Sequence, residues 1–164
     1  GKTRLTARAL EEWVTERGPA GCIVLDFAPT VERDGKTLGG HLTQFTTIPE
    51  GVYYGEVDAH APRSEGETDA DALALAKANA TACTMRLDDA PPDPRAIFVN
   101  DATIAVQADT AMTGRLTGYC DRGEAAVLNA FESDELGVEN PVSRNELAGL
   151  EALRSWTDRV IDLS

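Results

Sequence analysis

The chain has 164 residues, 42% of them apolar, and a formal net charge of −13. That length and apolar content suit one globular domain with a real core, and they exclude a disordered chain. The charge argues against a nucleic-acid binder, because phosphate contacts need a basic patch and none is visible.

The acidity has a particular make-up. Lysine occurs three times and arginine twelve times. Many acidic residues with few lysines resemble the surface of halophile-like acidic proteins, whose high-salt surroundings screen self-repulsion over a few ångströms. An ordinary acidic protein is the alternative. Cys22, Cys83 and Cys120 are far apart, odd in number and without C-x-x-C spacing. Neither a disulfide framework nor a zinc site is expected, and reduced, mostly buried thiols in a cytoplasmic protein fit best. No apolar run approaches transmembrane length and no signal-peptide pattern appears, so no membrane partner is expected. The sequence does not open on Met, so an N-terminus that is cut or incomplete is expected.

At the amino end, Gly1-Lys2-Thr3 stands directly before an amphipathic helix pattern, Leu5, Ala9, Leu10, Trp13 and Val14, which Gly18-Pro19 stops. The run Cys22-Ile23-Val24-Leu25-Asp26-Phe27 suits a strand buried on both faces. Asp34-Gly35 is a tight-turn pair. Extended stretches at about 42–48 and 52–57 make a β-hairpin or irregular insertion the expectation near 31–58. Residues 59–67 read as loop. Thr68 or Asp69 then caps a helix running to about 87, with Leu73, Ala76, Ala80, Cys83 and Leu87 inward. Pro91, Pro92 and Pro94 forbid helix over 88–94.

Ala96-Ile97-Phe98-Val99-Asn100-Asp101 is the second buried strand, and Ile104-Ala105-Val106 extends it or begins another element. A short helix is expected over 110–122, then a third buried strand at Ala125-Ala126-Val127-Leu128-Asn129. Ser143-x-x-Glu146 has the form of a capping box opening a helix through about Trp156. Arg159-Val160-Ile161-Asp162-Leu163 reads as a last short strand. This alternation predicts an α/β three-layer sandwich with a mostly parallel sheet, formed by residues 1–164 as one domain.

Gly1-Lys2-Thr3 matches the last third of the phosphate-binding loop G-x-x-x-x-G-K-[S/T]. Together with the helix, the buried strand and the later Ile97-Phe98-Val99-Asn100-Asp101, it resembles a P-loop NTPase, with a partial Walker A motif and a Walker B-like strand. As topology the resemblance covers most of the chain, and as motif about eight residues. The upstream glycines of the loop are not in the sequence, and Asn100 stands where Walker B has an apolar residue. A phosphate-binding loop needs a strand before it, in the middle of the sheet, so the first central strand is expected to be missing from this chain.

The resemblance implies roles. Gly1 lets the backbone approach a phosphate, and Lys2 neutralises phosphate charge. Thr3 and Asp101 hold Mg²⁺. Asp26, ending the strand after the first helix, orients Mg²⁺ or an acceptor hydroxyl. The implied cofactors are ATP and Mg²⁺. The competing reading of Lys2-Thr3 is a solvated terminus, and that of Asp26 and Asp101 is a strand-end carboxylate capping a loop or helix.

Asp58-x-His60-x-x-Arg63 is a second constellation, in a loop beside Pro62. Asp58 and His60 could form an acid/base couple and Arg63 could clamp an anionic substrate. The alternative is a solvated polar loop. His41, after Gly39-Gly40, reads as an exposed hairpin histidine. Asn129 ends the third strand, where nucleotide-binding sheets place side chains near the ligand. It is not followed by Lys-x-Asp, so the guanine-reading motif is absent. Arg115 and Arg122 read as solvated helix arginines, although either could serve as a lid arginine, and Trp13 and Trp156 as packing residues.

The first functional expectation is therefore a Mg²⁺-dependent ATP-binding protein, a small phosphotransferase or ATPase acting on a small-molecule acceptor. A nucleotide-binding switch with little turnover, or an α/β domain that binds no nucleotide, are the alternatives. Self-association as a homo-oligomer is left open.

Overall fold

The computed structural model describes residues 1–132 and 137–163. The first helix, α1, spans Lys2–Arg17 and ends at Gly18, whose φ of 81° suits glycine. Strand β1, Cys22–Asp26, is buried along its whole length. A small antiparallel hairpin follows, β2 (Val31–Arg33) and β3 (Lys36–Gly39). Asp34 and Gly35 form its turn with φ of 53° and 73°, the two positive values that a type I′ connection needs.

The insertion is smaller than the sequence suggested. Leu42–Gln44 is a 3₁₀ turn rather than a strand. Tyr53–Glu56 is β4, and it joins the main sheet instead of the hairpin. Then come a short helix α2 (Pro62–Glu65) and the long α3 (Asp69–Asp89). The Thr68 hydroxyl caps α3 by accepting from the Asp71 N–H, as its position predicts. Strand β5 is Ala96–Asn100, and Thr103–Val106 turns into a short helix, α4, instead of extending it. Helix α5 covers Ala111–Cys120, β6 covers Ala125–Leu128, and α6 covers Pro141–Trp156.

Two carboxy-terminal expectations are corrected. Ser143 and Glu146 do not form a capping box. Asn140 is the N-cap of α6, its side chain accepting from the Ser143 N–H, with Pro141 in the first turn. Residues 159–163 form no strand; Val160, Ile161 and Leu163 are exposed. An apolar run becomes a strand only where an edge receives it, and among the described residues none does.

The main sheet runs β4-β1-β5-β6, all parallel. Period-two alternation divides each central strand between two cores. Cys22, Val24, Ala96 and Phe98 face Ala7 and Leu10 of α1 and Leu42 of the 3₁₀ turn. Ile23, Leu25, Ile97 and Val99 face Cys83 and Leu87 of α3, Leu116 of α5 and Leu153 of α6. Helices thus cover both faces, giving three layers, and continuous apolar strands follow from burial on both sides. All three cysteines are free and buried. Burial pushes the Cys22 thiol up to about 11, and those of Cys83 and Cys120 to about 12, so they act as packing groups. Among the described residues no helix is long and apolar enough to cross a membrane.

Candidate site at the carboxyl ends of the strands

Beyond β1 the chain reaches Leu42 in the core under α1, and beyond β5 it enters α4, whose Ile104, Ala105 and Val106 pack in the opposite core. In an open parallel sheet such a divergence opens a crevice at the carboxyl ends of the two strands, the usual place for a ligand. Three polar side chains stand there in a row: Asp26 at the tip of β1, Asn100 opposite it in register on β5, and Asn129 just past β6.

They are joined by hydrogen bonds. Asp26 Oδ2 accepts from the Leu42 N–H and from the Tyr54 hydroxyl, both at 2.7 Å. Its Oδ1 accepts from Asn100 Nδ2 at 2.7 Å, and the same nitrogen donates to the Gly40 carbonyl at 3.0 Å. Asn129 Nδ2 donates to Asn100 Oδ1 at 2.8 Å and to Thr6 Oγ1 at 2.9 Å. The Thr6 hydroxyl donates to the Lys2 carbonyl at 3.1 Å. Asp26 and Asn100 are 0% exposed, so this carboxylate is held by neutral donors inside the fold. Both of its oxygens are engaged. As placed, Asp26 organises the strand tips and is closed to an incoming ion or hydroxyl.

Asp101 differs. Its backbone takes a left-handed φ of 60°, a conformation short polar side chains tolerate. The Asn129 carboxamide oxygen fixes this turn by accepting the Asp101 N–H at 2.8 Å, and the Thr103 hydroxyl donates to the carboxylate. Burial is the main cause that pushes Asp101 up to about 6, with Glu146 adding to the rise while the Thr103 hydroxyl and the Lys2 charge oppose it.

Lys2 lies in the same neighbourhood, its ammonium 4.7 Å from the centre of the Phe131 ring. Gly1 and Lys2 open α1 with no side-chain cap and no acidic residue in the first turn. Nothing lies within 4 Å of the place where a Cβ on Gly1 would sit. Thr3 is partly buried in that turn. The fold therefore brings Gly1, Lys2, Thr3 and Asp101 to one end of the sheet, with Asp26 behind them in the interior.

The other constellation is taken apart. Asp58 and His60 are exposed, and the His60 imidazole faces Glu65 at 3.3 Å. Asn79 on α3, almost fully buried, grips the His60 backbone through both its N–H and its carbonyl. Arg63 turns inward: its guanidinium donates to Ser143 Oγ and to Glu146 Oε2, each at 2.9 Å. Its side chain is 8% exposed and that of Glu146 6%, and Gln107 donates to the same carboxylate at 2.7 Å. Arg63 thus ties α2 to α6 and is already spoken for. His41 lies beyond the hairpin, set between the Glu56 carboxylate and the Val57 carbonyl. Arg115 pairs with Asp88 on the surface.

No protein-family model matches the chain, and neither a curated protein nor a solved structure is significantly similar to it.

The Asp101 titration gives a stability signature. A carboxyl raised from 3.8 to about 6 binds its proton more tightly in the folded state. Its stabilising share is complete below pH 3.8 and is lost as pH rises through about 6. Asp101→Asn should remove this slope, leaving the variant about 3 kcal/mol more stable than wild type at pH 7 and near parity at pH 4. Urea melts across pH 4–7 check it; parallel stability profiles would contradict the placement of Asp101.

Proposed function

We propose that the protein binds ATP with Mg²⁺ at the amino end of α1 and acts as a small phosphotransferase or ATPase of the P-loop type. The observation that carries this reading is the meeting of Lys2 and the uncapped first turn of α1 with Asp101 at the carboxyl ends of parallel strands. Helix N–H groups and the positive end of the helix dipole favour an anion there. The first turn carries two cations, Lys2 and Arg4, and no carboxylate, which an empty helix start disfavours and a phosphate would balance.

The residues fit Mg²⁺ in one sense only. Among the described residues no group of three or more acidic, histidine or cysteine side chains forms a ready cage. Magnesium commonly takes one or two protein ligands and completes its shell with phosphate oxygens and water. Asp101 and the Thr3 hydroxyl would be those ligands, and the ion would screen charge on the transferring phosphoryl group. Lys2 would neutralise the β- and γ-phosphates, and Gly1 would leave room for the backbone to approach them. Asp26 would keep the strand tips in register. Asp58 and His60, near the surface, would border the acceptor side.

A slot beside β6 supports the same reading. β6 has a free edge among the described strands. A cavity of about 210 Å³ runs between it and α1, lined by Ala9, Trp13, Phe98 and Val127. The buried Trp13 indole N–H there has no partner among the described residues. A P-loop arrangement places an extended apolar strand at that edge, leading into Gly1. Such a strand would offer carbonyls to the indole.

Calorimetric titration with ATP, with Mg²⁺ and with EDTA, tests the reading. Saturable binding that requires Mg²⁺ is expected, and heats of dilution alone up to millimolar ATP would rule it out. Release of ADP in the presence of candidate acceptors then separates a phosphotransferase or ATPase from a switch that only binds.

A further inference from the structure

We infer that Asn100 and Asn129 are positioning residues that couple Gly40–Leu42, the segment closing the hairpin, to the first turns of α1. The link to nucleotide rests on the proposed phosphate site; the link between the two segments does not.

The connection is continuous and enclosed. It starts at the Gly40 carbonyl and the Leu42 N–H, passes through Asp26 and the Asn100 carboxamide, crosses to Asn129, and ends at Thr6 and the Lys2 carbonyl. Each carboxamide uses both ends. Asn100 donates to Asp26 and Gly40 while accepting from Asn129. Asn129 donates to Asn100 and Thr6 while accepting from the Asp101 N–H. Neither side chain can turn without breaking bonds on both sides of itself. Asp26 and Asn100 are fully buried, so no water replaces a lost partner, and in a low dielectric successive hydrogen bonds strengthen one another.

A simple strand-end cap would stop at its own loop. Here one row spans β4, β1, β5, β6 and α1, beginning with the Tyr54 hydroxyl and ending one turn above Lys2. The two-state element is the segment Gly40–Leu42, either docked on Asp26 and Asn100 or released from them. A ligand that fixes the start of α1 holds Thr6 and Asn129, and through them Asn100, in the docked arrangement. By reciprocity, docking of the hairpin base raises affinity at α1. The hairpin would thus sense whether the phosphate site is filled, as the acceptor side of a transfer reaction requires.

Amide hydrogen exchange read by NMR tests this. Thr6→Val removes one hydroxyl at the far end of the row and keeps the side-chain shape. In the ligand-free variant the Leu42 amide should exchange about tenfold faster than in wild type, beyond any change shared by the β1 amides of Val24 and Leu25. Thr6→Ser should restore the wild-type rate. Adding Mg²⁺ and ATP to the wild type should slow Leu42 by a similar factor, and should do so less in Thr6→Val. Leu42 moving only in step with the β1 amides in ligand-free Thr6→Val would overturn the coupling. A normal ligand-free result with no ATP binding would instead retire the phosphate site and leave the coupling standing.

Discussion

Asp26→Ala should cost about 4 kcal/mol of folding stability, a large share of the 5–15 kcal/mol typical of a domain. The reason lies in what the carboxylate leaves behind. The Leu42 N–H and one Asn100 N–H lose acceptors inside the protein, and the Tyr54 hydroxyl loses its bond to Oδ2. Each buried orphan donor costs about 1–3 kcal/mol, and the missing atoms leave a small void. Asp26→Asn should recover only part of this. Its amide keeps one acceptor and turns a second donor toward groups that are already donors. Urea unfolding is the measurement, with a lower midpoint and an unchanged m-value expected. A loss below about 1 kcal/mol would mean that the carboxylate is not the hub of the strand tips. The phenol gives an independent reading. Burial first, and the Asp26 hydrogen bond and charge second, hold Tyr54 well above the ordinary tyrosine value. Asp26→Ala should therefore bring it part of the way down.

The central strands were legible because burial on both faces leaves a signature that needs no partner to be read. Cys22–Leu25 and Ala96–Val99 are unbroken apolar runs, and each proved to be a strand divided between two cores. Residues 159–163 carry a similar apolar signal and form no strand, since pairing depends on a neighbour that sequence does not specify. Tyr53-Tyr54-Gly55-Glu56 failed in the opposite direction. Its pattern told of an extended segment, while nothing local told that it pairs in parallel with β1 rather than closing the hairpin. The Ser143/Glu146 pair met the spacing of a cap, yet Asn140-Pro141 three residues earlier is the stronger helix start. Glu146 was then drawn to Arg63, 83 positions away in the chain, and that partner also took Arg63 out of the loop constellation.

The polar tips were each visible singly. Asp26 and Asn129 drew attention as strand ends, and Asn100 as a departure from an apolar motif. The in-register pairing of β1 with β5 makes Asn100 the natural bridge, because it brings the two side chains to adjacent tips. Thr6 and Tyr54 had no local signal at all. One sits on a helix face and the other on an edge strand, and only the closed fold brings them to the two ends of the same row.

Lys2→Ala should weaken ATP binding about 30- to 100-fold, the loss expected when a charge-assisted contact of about 2–3 kcal/mol is removed. Folding should hardly notice. The visible contact of Lys2 is with the Phe131 ring, which is 40% exposed, and a cation–π pair at such a site contributes about 0.5–1 kcal/mol. A large binding effect with a small stability effect would separate a ligand-facing lysine from one that merely packs. The carboxyl of Asp101 supplies a second reading that needs no nucleotide. The Lys2 charge lowers it, so removing that charge should raise its midpoint above about 6, seen by NMR titration of the side-chain carboxyl. If Asp101 shifts and ATP affinity does not, the two residues are neighbours but the lysine does not hold phosphate. If neither moves, Lys2 and Asp101 are not electrostatic partners, and the grouping at the carboxyl ends of the strands loses the charge pair on which a metal–phosphate site depends.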